Sequence, residues 1–278
     1  MEMQKRILFV FAHQDDEMFI TGKIQQELKK MSDVYLVWVT NGNRNGNPEI
    51  RKRESIVAMQ SLGVQNMDFL EIGEDEIVTE EGLCMAFNKL KTLIEKINPR
   101  EIYSVGWEGA HIGHDLTNFI TFHSVKSLNL EIDLYEYPLN PIKSAFKYVP
   151  KFIVDNAKKR ILGIYIRDLI LLFTISIARF VSKGADIHVS LTRDELKKKY
   201  SLPRFYPSQR NVLTGLKIVY PKIKAKKEVY RKIDLNRDYL KSPSEVIFYE
   251  IAPKMGFITS GEDFSVYKRL VSDLINNG

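Results

Sequence analysis

The 278-residue sequence predicts an α/β protein with a mostly parallel sheet flanked by helices. Three observations carry that prediction. Apolar, β-branched runs alternate with helical segments of about 12–17 residues, the order that builds βαβ units. The first run, Ile7–Phe11, is apolar throughout, as a strand covered on both faces is. Clusters of histidine and acid stand directly after the first and fourth such runs. Open α/β sheets build their sites there, past the carboxyl ends of strands.

The elements follow in order. After the acidic cluster Asp15-Asp16-Glu17, Met18–Met31 carries Ile20, Ile24, Leu28 and Met31 at helical spacing, with Lys29 and Lys30 where they complement the dipole. Val34–Thr40 is a second strand, and the Asn/Gly-rich loop Asn41–Pro48 can bring backbone close to a ligand. Pro48 suits the first turn of a helix over Glu49–Leu62, closed by Gly63. Met67–Glu71 is a short strand, and Glu81–Ile97 a helix stopped by Asn98-Pro99. Glu101–Val105 is a strand running into Gly106–Asp115, then a helix to Ser127 and a strand over Ile132–Tyr137. No G-x-G-x-x-G follows the first strand, so a dinucleotide fingerprint is absent.

Past Pro138 the character changes, with Pro141 and Pro150 marking a boundary. Three parts are expected: a catalytic core over 1–137, a helical insertion or cap over 138–186, and a stretch over 187–278 that completes the same domain. In the second part, Leu162, Ile166, Leu169, Phe173, Ile177 and Phe180 form one stripe on a helix expected over Arg160–Lys183. That stripe suits packing on the body or a dimer partner, or an amphipathic helix resting on a membrane. Ile187–Leu191 alternates like a strand. Thr192 caps a helix over Arg193–Tyr200, with Glu195 at the capping-box position. Leu216–Arg231 is basic with regular apolar residues, and Glu245–Ile251 is a late strand.

Composition narrows the class. Apolar residues make up 44% of the chain, enough for a sizeable core. Cys84 is the single cysteine, which excludes an intramolecular disulfide and a cysteine-based zinc cluster and suits a reducing compartment. No apolar run reaches membrane-spanning length, and the N-terminal one is too short for a signal-peptide core. A cytoplasmic protein, peripheral to a membrane at most, is expected. The net charge of +6 conceals an asymmetry: between Lys143 and Lys232, 22 Lys or Arg face 6 Asp or Glu. That region is either an ordinary solvated surface or a face for an anionic partner such as a phosphorylated substrate or an anionic membrane. No nucleic-acid motif accompanies it, so nucleic acid is not an expected partner. A homo-oligomer is compatible with the sequence.

The chemistry concentrates in two clusters. His13 and Asp16, three apart in a turning segment, can converge on one ion, and His114 would join them from a parallel strand end. Two imidazoles and a carboxylate leave an open position, as expected of catalytic zinc. Iron(II) accepts the same set. His123 and His188 are assigned to packing. Glu17 reads as a structural carboxylate at a helix start, and Trp107 as either a pocket wall or core.

These residues resemble a family. Ala12-His13-Gln14-Asp15-Asp16-Glu17 resembles the A-H-P-D-D-E signature of the PIG-L/LmbE-like zinc-dependent N-deacetylases, and His111-Ile112-Gly113-His114 its second, H-x-x-H motif. Arg51–Glu54 with Leu62-Gly63-Val64 is similar to its R-x-x-E and L-G-V segment, and Lys197–Tyr200 with Tyr206–Gln209 to its later K…Y-x-S-Q segment. The likeness covers residues 5–137 well and 187–212 thinly.

The resemblance implies a Rossmann-like sheet, to which charge and periodicity add a basic helical elaboration in the C-terminal half, and it implies hydrolysis of an N-acetyl amide on an amino sugar. The substrate would be an N-acetylglucosamine-type conjugate, lipid-linked or a surface-polysaccharide precursor. Carried over, His13, Asp16 and His114 hold Zn2+ (or Fe2+), and Asp15 is the general base for the attacking water. His111 stabilises or protonates the tetrahedral intermediate, and Arg51 contacts substrate. Each role suits the chemistry: a metal lowers the pKa of water to about 7, a carboxylate relays its proton, and a cation or donor holds the oxyanion. Glu54 is expected to be a structural partner of the site.

Two positions depart from the pattern. Gln14 stands in place of proline, and Gly113 where many members carry aspartate, which bears on the role of His111. Asp115 and Glu108 are the nearby acids that could substitute. Two rival readings accompany the deacetylase: a hydrolase of another amide or acyl bond with the same metal site, and a non-catalytic sugar- or lipid-binding module.

Overall fold

Strand β1 (Arg6–Phe11) is an interior strand paired on both edges, and its side chains from Ile7 to Phe11 are fully buried. A computed structural model of the chain describes residues 4–109, 111–138, 160–161, 164–165, 187–210, 227–243, 247, 250 and 263–277. Helix α1 (Thr21–Lys29) leads to β2 (Asp33–Thr40), α2 (Pro48–Gln60) to β3 (Asn66–Ile72), and α3 (Glu80–Ile97) to β4 (Glu101–Val105). Helix α4 (Ile112–Leu128) then leads to β5 (Asp133–Tyr137). The two-residue strands β6 (Arg160–Ile161) and β7 (Ile164–Tyr165) pair with each other. Further on come β8 (Ile187–Ser190), α5 (Arg193–Ser201), β9 (Lys227–Lys232) and α6 (Phe264–Asn277).

The seven-stranded sheet has the order β3-β2-β1-β4-β5-β9-β8. Its first five strands are parallel, and β9 and β8 join antiparallel. This is the Rossmann-like α/β architecture expected from the sequence. The connections leaving β1 and β4 diverge to opposite sides, so the crevice past their carboxyl ends is the switch point of the sheet. Both sequence clusters lie there: His13 follows β1, and His111 precedes α4.

Two apolar layers cover the sheet. One face packs Leu8, Val10, Val37 and Ile102 under α3, α4 and α6 through Leu90, Ile94, Phe119 and Leu270. The other packs Ile7, Phe9, Phe11 and Trp38 against Ile24, Met59 and Tyr206. Phe11 and Trp38 stand 5.3 Å apart, and Trp38 stacks on Phe69 at 4.6 Å. Both layers reach the switch point, so the site loops rest on packed side chains.

Local signals explain the boundaries. Asn47 caps α2 by accepting from Glu49 and Ile50, with Pro48 in the first turn. Thr192 and Glu195 form the expected capping box. Three expectations differ from the structure. The helix expected from Arg160 begins instead as the β6–β7 pair, where Ile161, Ile164 and Tyr165 favour strand and Gly163 weakens a helix. The remainder of that helix lies outside the described residues. In the strand expected over Glu245–Ile251, Glu250 is helical and its N–H donates to Ile247 O at 3.3 Å. The start expected for α1 at Met18 is a separate 3-10 turn, Asp16–Phe19, because the loop after β1 must first place its side chains.

Candidate active site

The loop after β1 folds back on itself. Asp16 Oδ2 accepts the backbone N–H groups of Ala12 at 3.1 Å and His13 at 2.8 Å, which locks the carboxylate at the head of the turn. His13 Nδ1 lies 2.9 Å from His114 Nε2. Asp16 Oδ1 is 3.5 Å from His114 Nε2, and its Oδ2 is 3.7 Å from His13 Nδ1. Donor atoms of a tetrahedral zinc site with bonds of about 2.0–2.1 Å stand about 3.3 Å apart. The three expected ligands are therefore gathered at close to the spacing an ion requires. Nitrogens of His13, His111 and His114 also lie within 4.8 Å of one another, so a third imidazole flanks the set. His13 is held neutral, first by burial and then by the charges of His111 and His114. Neutral imidazole is the metal-binding form. The donor set fits a divalent metal.

Asp15 sits at the mouth of this cluster with 15% of its side chain exposed. Its backbone has φ 124° and ψ −17°, a conformation that side-chain-bearing residues rarely adopt. Its N–H donates to Glu17 Oε2 at 2.9 Å, and its Oδ1 lies 3.7 Å from Arg51 Nη2. Burial raises the Asp15 pKa well above the usual carboxylate range. Arg51 opposes that rise, and Asp16, Glu17 and Glu74 add to it.

Arg51, expected to contact substrate, is 2% exposed. Its guanidinium donates to Gln14 O at 2.6 Å and Gly42 O at 3.2 Å, and faces Asp15 and Glu74. It thus ties the first loop to the loop after β2. Gly42 makes this possible: at φ 71° an added Cβ would stand 2.8 Å from Arg51 Nη1 and 2.5 Å from Gln14 Oε1. The Gln14 side chain, in place of proline, donates to Thr40 O at 2.9 Å and supplies a second tie.

Beneath Asp15 lies Glu17, fully buried. Its Oε1 accepts from Ser55 Oγ at 3.0 Å and from the Tyr206 hydroxyl, and its Oε2 accepts from Trp38 Nε1 at 3.2 Å. Burial raises its pKa, and those hydrogen bonds hold it down. The later sequence segment braces the same loop. Lys199 donates to Phe19 O at 3.0 Å and pairs with Glu228, while Ser208 donates to both oxygens of Glu54, from N at 2.9 Å and from Oγ at 2.5 Å. The K…Y-x-S-Q residues are therefore scaffolding, and Glu54 is a structural partner as expected.

The second loop is built differently. His111 caps α4, its Nδ1 accepting from Gly113 N at 3.2 Å, and its ring lies 4.9 Å from each of His13 and His114. Asp115 accepts from the N–H groups of Glu108 at 3.0 Å and Gly109 at 3.2 Å, which shapes the loop. Trp107 packs on Tyr239 at 4.5 Å and against Arg237, on the side of the core. His123 lies between Phe87 and Phe119, a packing histidine, whereas His188, also assigned to packing, is exposed on β8.

Glu74 is a site residue that sequence reasoning missed. It is 3% exposed, with Oε2 3.8 Å from His13 Nε2 and Oε1 3.8 Å from Arg51 Nη1. Its signal was positional: an acid directly past the carboxyl end of the third parallel strand, on the edge that carries the other clusters.

The chain is similar to known proteins over the region that carries these residues. The family model PIG-L: GlcNAc-PI de-N-acetylase matches residues 8–125, from β1 through α4. The chain carries a PIG-L family domain. A Dictyostelium discoideum protein, described as a probable N-acetylglucosaminyl-phosphatidylinositol de-N-acetylase, is 38% identical over 63 residues. That match covers 22% of this chain and spans 24% of the relative's length. The A40926 pseudoaglycone deacetylase Dbv21 superposes with a TM-score of 0.59 at 16% identity, over 84% of this chain and 100% of that one. The N,N'-diacetylchitobiose deacetylase of Pyrococcus horikoshii gives 0.52 at 16% identity, over 84% and 85%. At such identities the likeness establishes a shared fold. Within the PIG-L domain lie all of His13, Asp15, Asp16, Arg51, Glu74, His111 and His114.

Proposed function

We propose that the protein is a metal-dependent N-deacetylase that removes the acetyl group from an N-acetylated amino sugar of the N-acetylglucosamine type. The observation that carries this reading is the gathering of His13 Nδ1, His114 Nε2 and the Asp16 carboxylate within 3.7 Å beside Asp15 at the switch point. The PIG-L domain and the deacetylases that share the fold support the same reaction.

His13, Asp16 and His114 would hold the metal, which when bound polarises the amide carbonyl and acidifies a water. Asp15 accepts the proton of the attacking water and passes it to the leaving amine. Burial, which raises its pKa, favours its accepting that proton. His111 donates toward the developing oxyanion. Arg51 keeps its place in this scheme from behind Asp15: it fixes the loop and offers positive charge to the carboxylate. The basic stretch between Lys143 and Lys232 favours an anionic, lipid-linked conjugate over a free sugar. Among the described residues, no helix is long and apolar enough to cross a membrane.

Acetate release from a panel of N-acetylhexosamine conjugates, with and without chelator, tests the reading. Release that chelator abolishes and Zn2+ restores is expected. In Asp15→Asn, metal content should be retained while kcat falls by about 10²–10⁴. Full activity in that variant, or activity indifferent to chelator, overturns the scheme.

A further inference from the structure

His13 turns one ring nitrogen toward the ligand set and the other away from it. Nδ1 faces His114 and Asp16, while Nε2 is buried and makes no hydrogen bond. Both carboxylate oxygens of Glu74 are likewise buried without a hydrogen bond. These orphaned groups face one another: Glu74 Oε2 is 3.8 Å from His13 Nε2. A buried donor and a buried carboxylate left apart each cost about 1–3 kcal/mol, and a movement of less than about 1 Å would join them.

The backbone around Glu74 is placed to allow this. Its N–H donates to Asn43 Oδ1 at 2.9 Å, and Asn41 N donates to Ile72 O at 2.8 Å, so the loops after β2 and β3 are tied together. Arg51 Nη1, 3.8 Å from Glu74 Oε1, compensates the buried charge. Gly113 also stands near this nitrogen. A Cβ there would lie 3.4 Å from His13 Nε2 and 3.2 Å from His111 Nδ1, so glycine leaves Nε2 open to a partner from elsewhere. Asp115 is committed to the N–H groups of Glu108 and Gly109.

We infer that Glu74 is the positioning residue of the metal centre: its carboxylate accepts the Nε2 proton of His13 and so commits Nδ1 to the ion. The inference rests on the metal-site reading above and deepens it. A ligand histidine binds through one nitrogen only when the proton sits on the other, and a carboxylate acceptor fixes that choice while raising ligand basicity. In this chain the carboxylate comes from the β3–α3 loop, and Arg51 serves it and Asp15 together.

The test is Zn2+ affinity of the full chain, measured by competition with a chromophoric chelator. Glu74→Gln should bind Zn2+ about 10–100-fold more weakly than the wild type, with Glu74→Asp recovering part of the loss. Thermal unfolding of the metal-free proteins shows whether the fold itself has changed. An affinity change below about threefold in a folded Glu74→Gln variant overturns the role. Nitrogen-15 NMR of the wild type loaded with Zn2+ gives a second readout that no folding defect can obscure. The His13 proton is expected on Nε2; a proton on Nδ1 overturns the inference. Failure of the wild type to bind Zn2+ refutes the metal-site reading instead, so the two failures are told apart.

Discussion

The two loops that meet at the switch point are built by opposite strategies. The loop after β1 is buried and tied at almost every residue: Gln14 to Thr40 and Arg51, Asp15 to Glu17, and Asp16 to Ala12 and His13. The loop before α4 is held at its base by Asp115 and at its end by a helix cap, and its His111 is only partly buried. In the proposed scheme the first loop supplies two ligands and the base, which must hold their geometry within a fraction of an ångström. In the same scheme the second supplies a ligand from the first turn of α4 and a histidine that must meet a changing substrate. Rigidity is concentrated where geometry must not move.

Removing the tie beneath Asp15 should break this contrast most severely. Glu17→Leu leaves Tyr206, Ser55, Trp38 and the Asp15 N–H without their acceptor, and should destabilise the fold by about 3 kcal/mol. Urea unfolding measures it; a loss under about 1 kcal/mol would show that the network is not what holds the loop. His111→Ala probes the other loop and should do the reverse. Stability and Zn2+ affinity should hardly move, while kcat falls roughly 10²-fold, the scale of one lost oxyanion donor. A parallel loss of Zn2+ affinity would instead place His111 among the ligands.

The smallest effect is at the brace. Glu195 accepts from Lys29, Gln26 and the Thr192 N–H, and these bonds bring its pKa down to about 2 despite burial. A folded-state value below the unfolded one means stability that is present above about pH 4.3 and lost as pH falls toward 2. Glu195→Gln should cost about 1 kcal/mol at pH 7 and flatten the acid limb of the stability curve below pH 4. An unchanged acid limb would remove Glu195 from the brace.

Much of this was legible in the sequence because the signals are local. Apolar runs mark β1, β2 and β4, Asn47-Pro48 and Thr192 through Glu195 mark helix starts, and His13 and Asp16 fall just past β1. His114, expected at a strand end, sits in the first turn of α4 because the helix starts before it. What escaped depends on distance through space. Nothing near Arg51 announces that its guanidinium turns inward to the Gln14 and Gly42 carbonyls. Glu17 reads as a helix-start acid because Tyr206, which satisfies it, lies 189 positions away. Glu74 belongs to an acidic run, Glu74-Asp75-Glu76, and only the parallel sheet order brings one of the three to His13. At Arg160–Tyr165 the apolar spacing suggests helix, yet β-branched residues around Gly163 favour the strand pair that forms.

The backbone of Asp15 carries one further consequence. At φ 124° a side-chain-bearing residue stores strain of about 1–3 kcal/mol, which a glycine would release. A sturdier fold would therefore favour glycine at this position, whereas the proposed hydrolysis needs the carboxylate. Aspartate at this strained position, seated over a four-way clamp on Glu17, is what the proposed base requires.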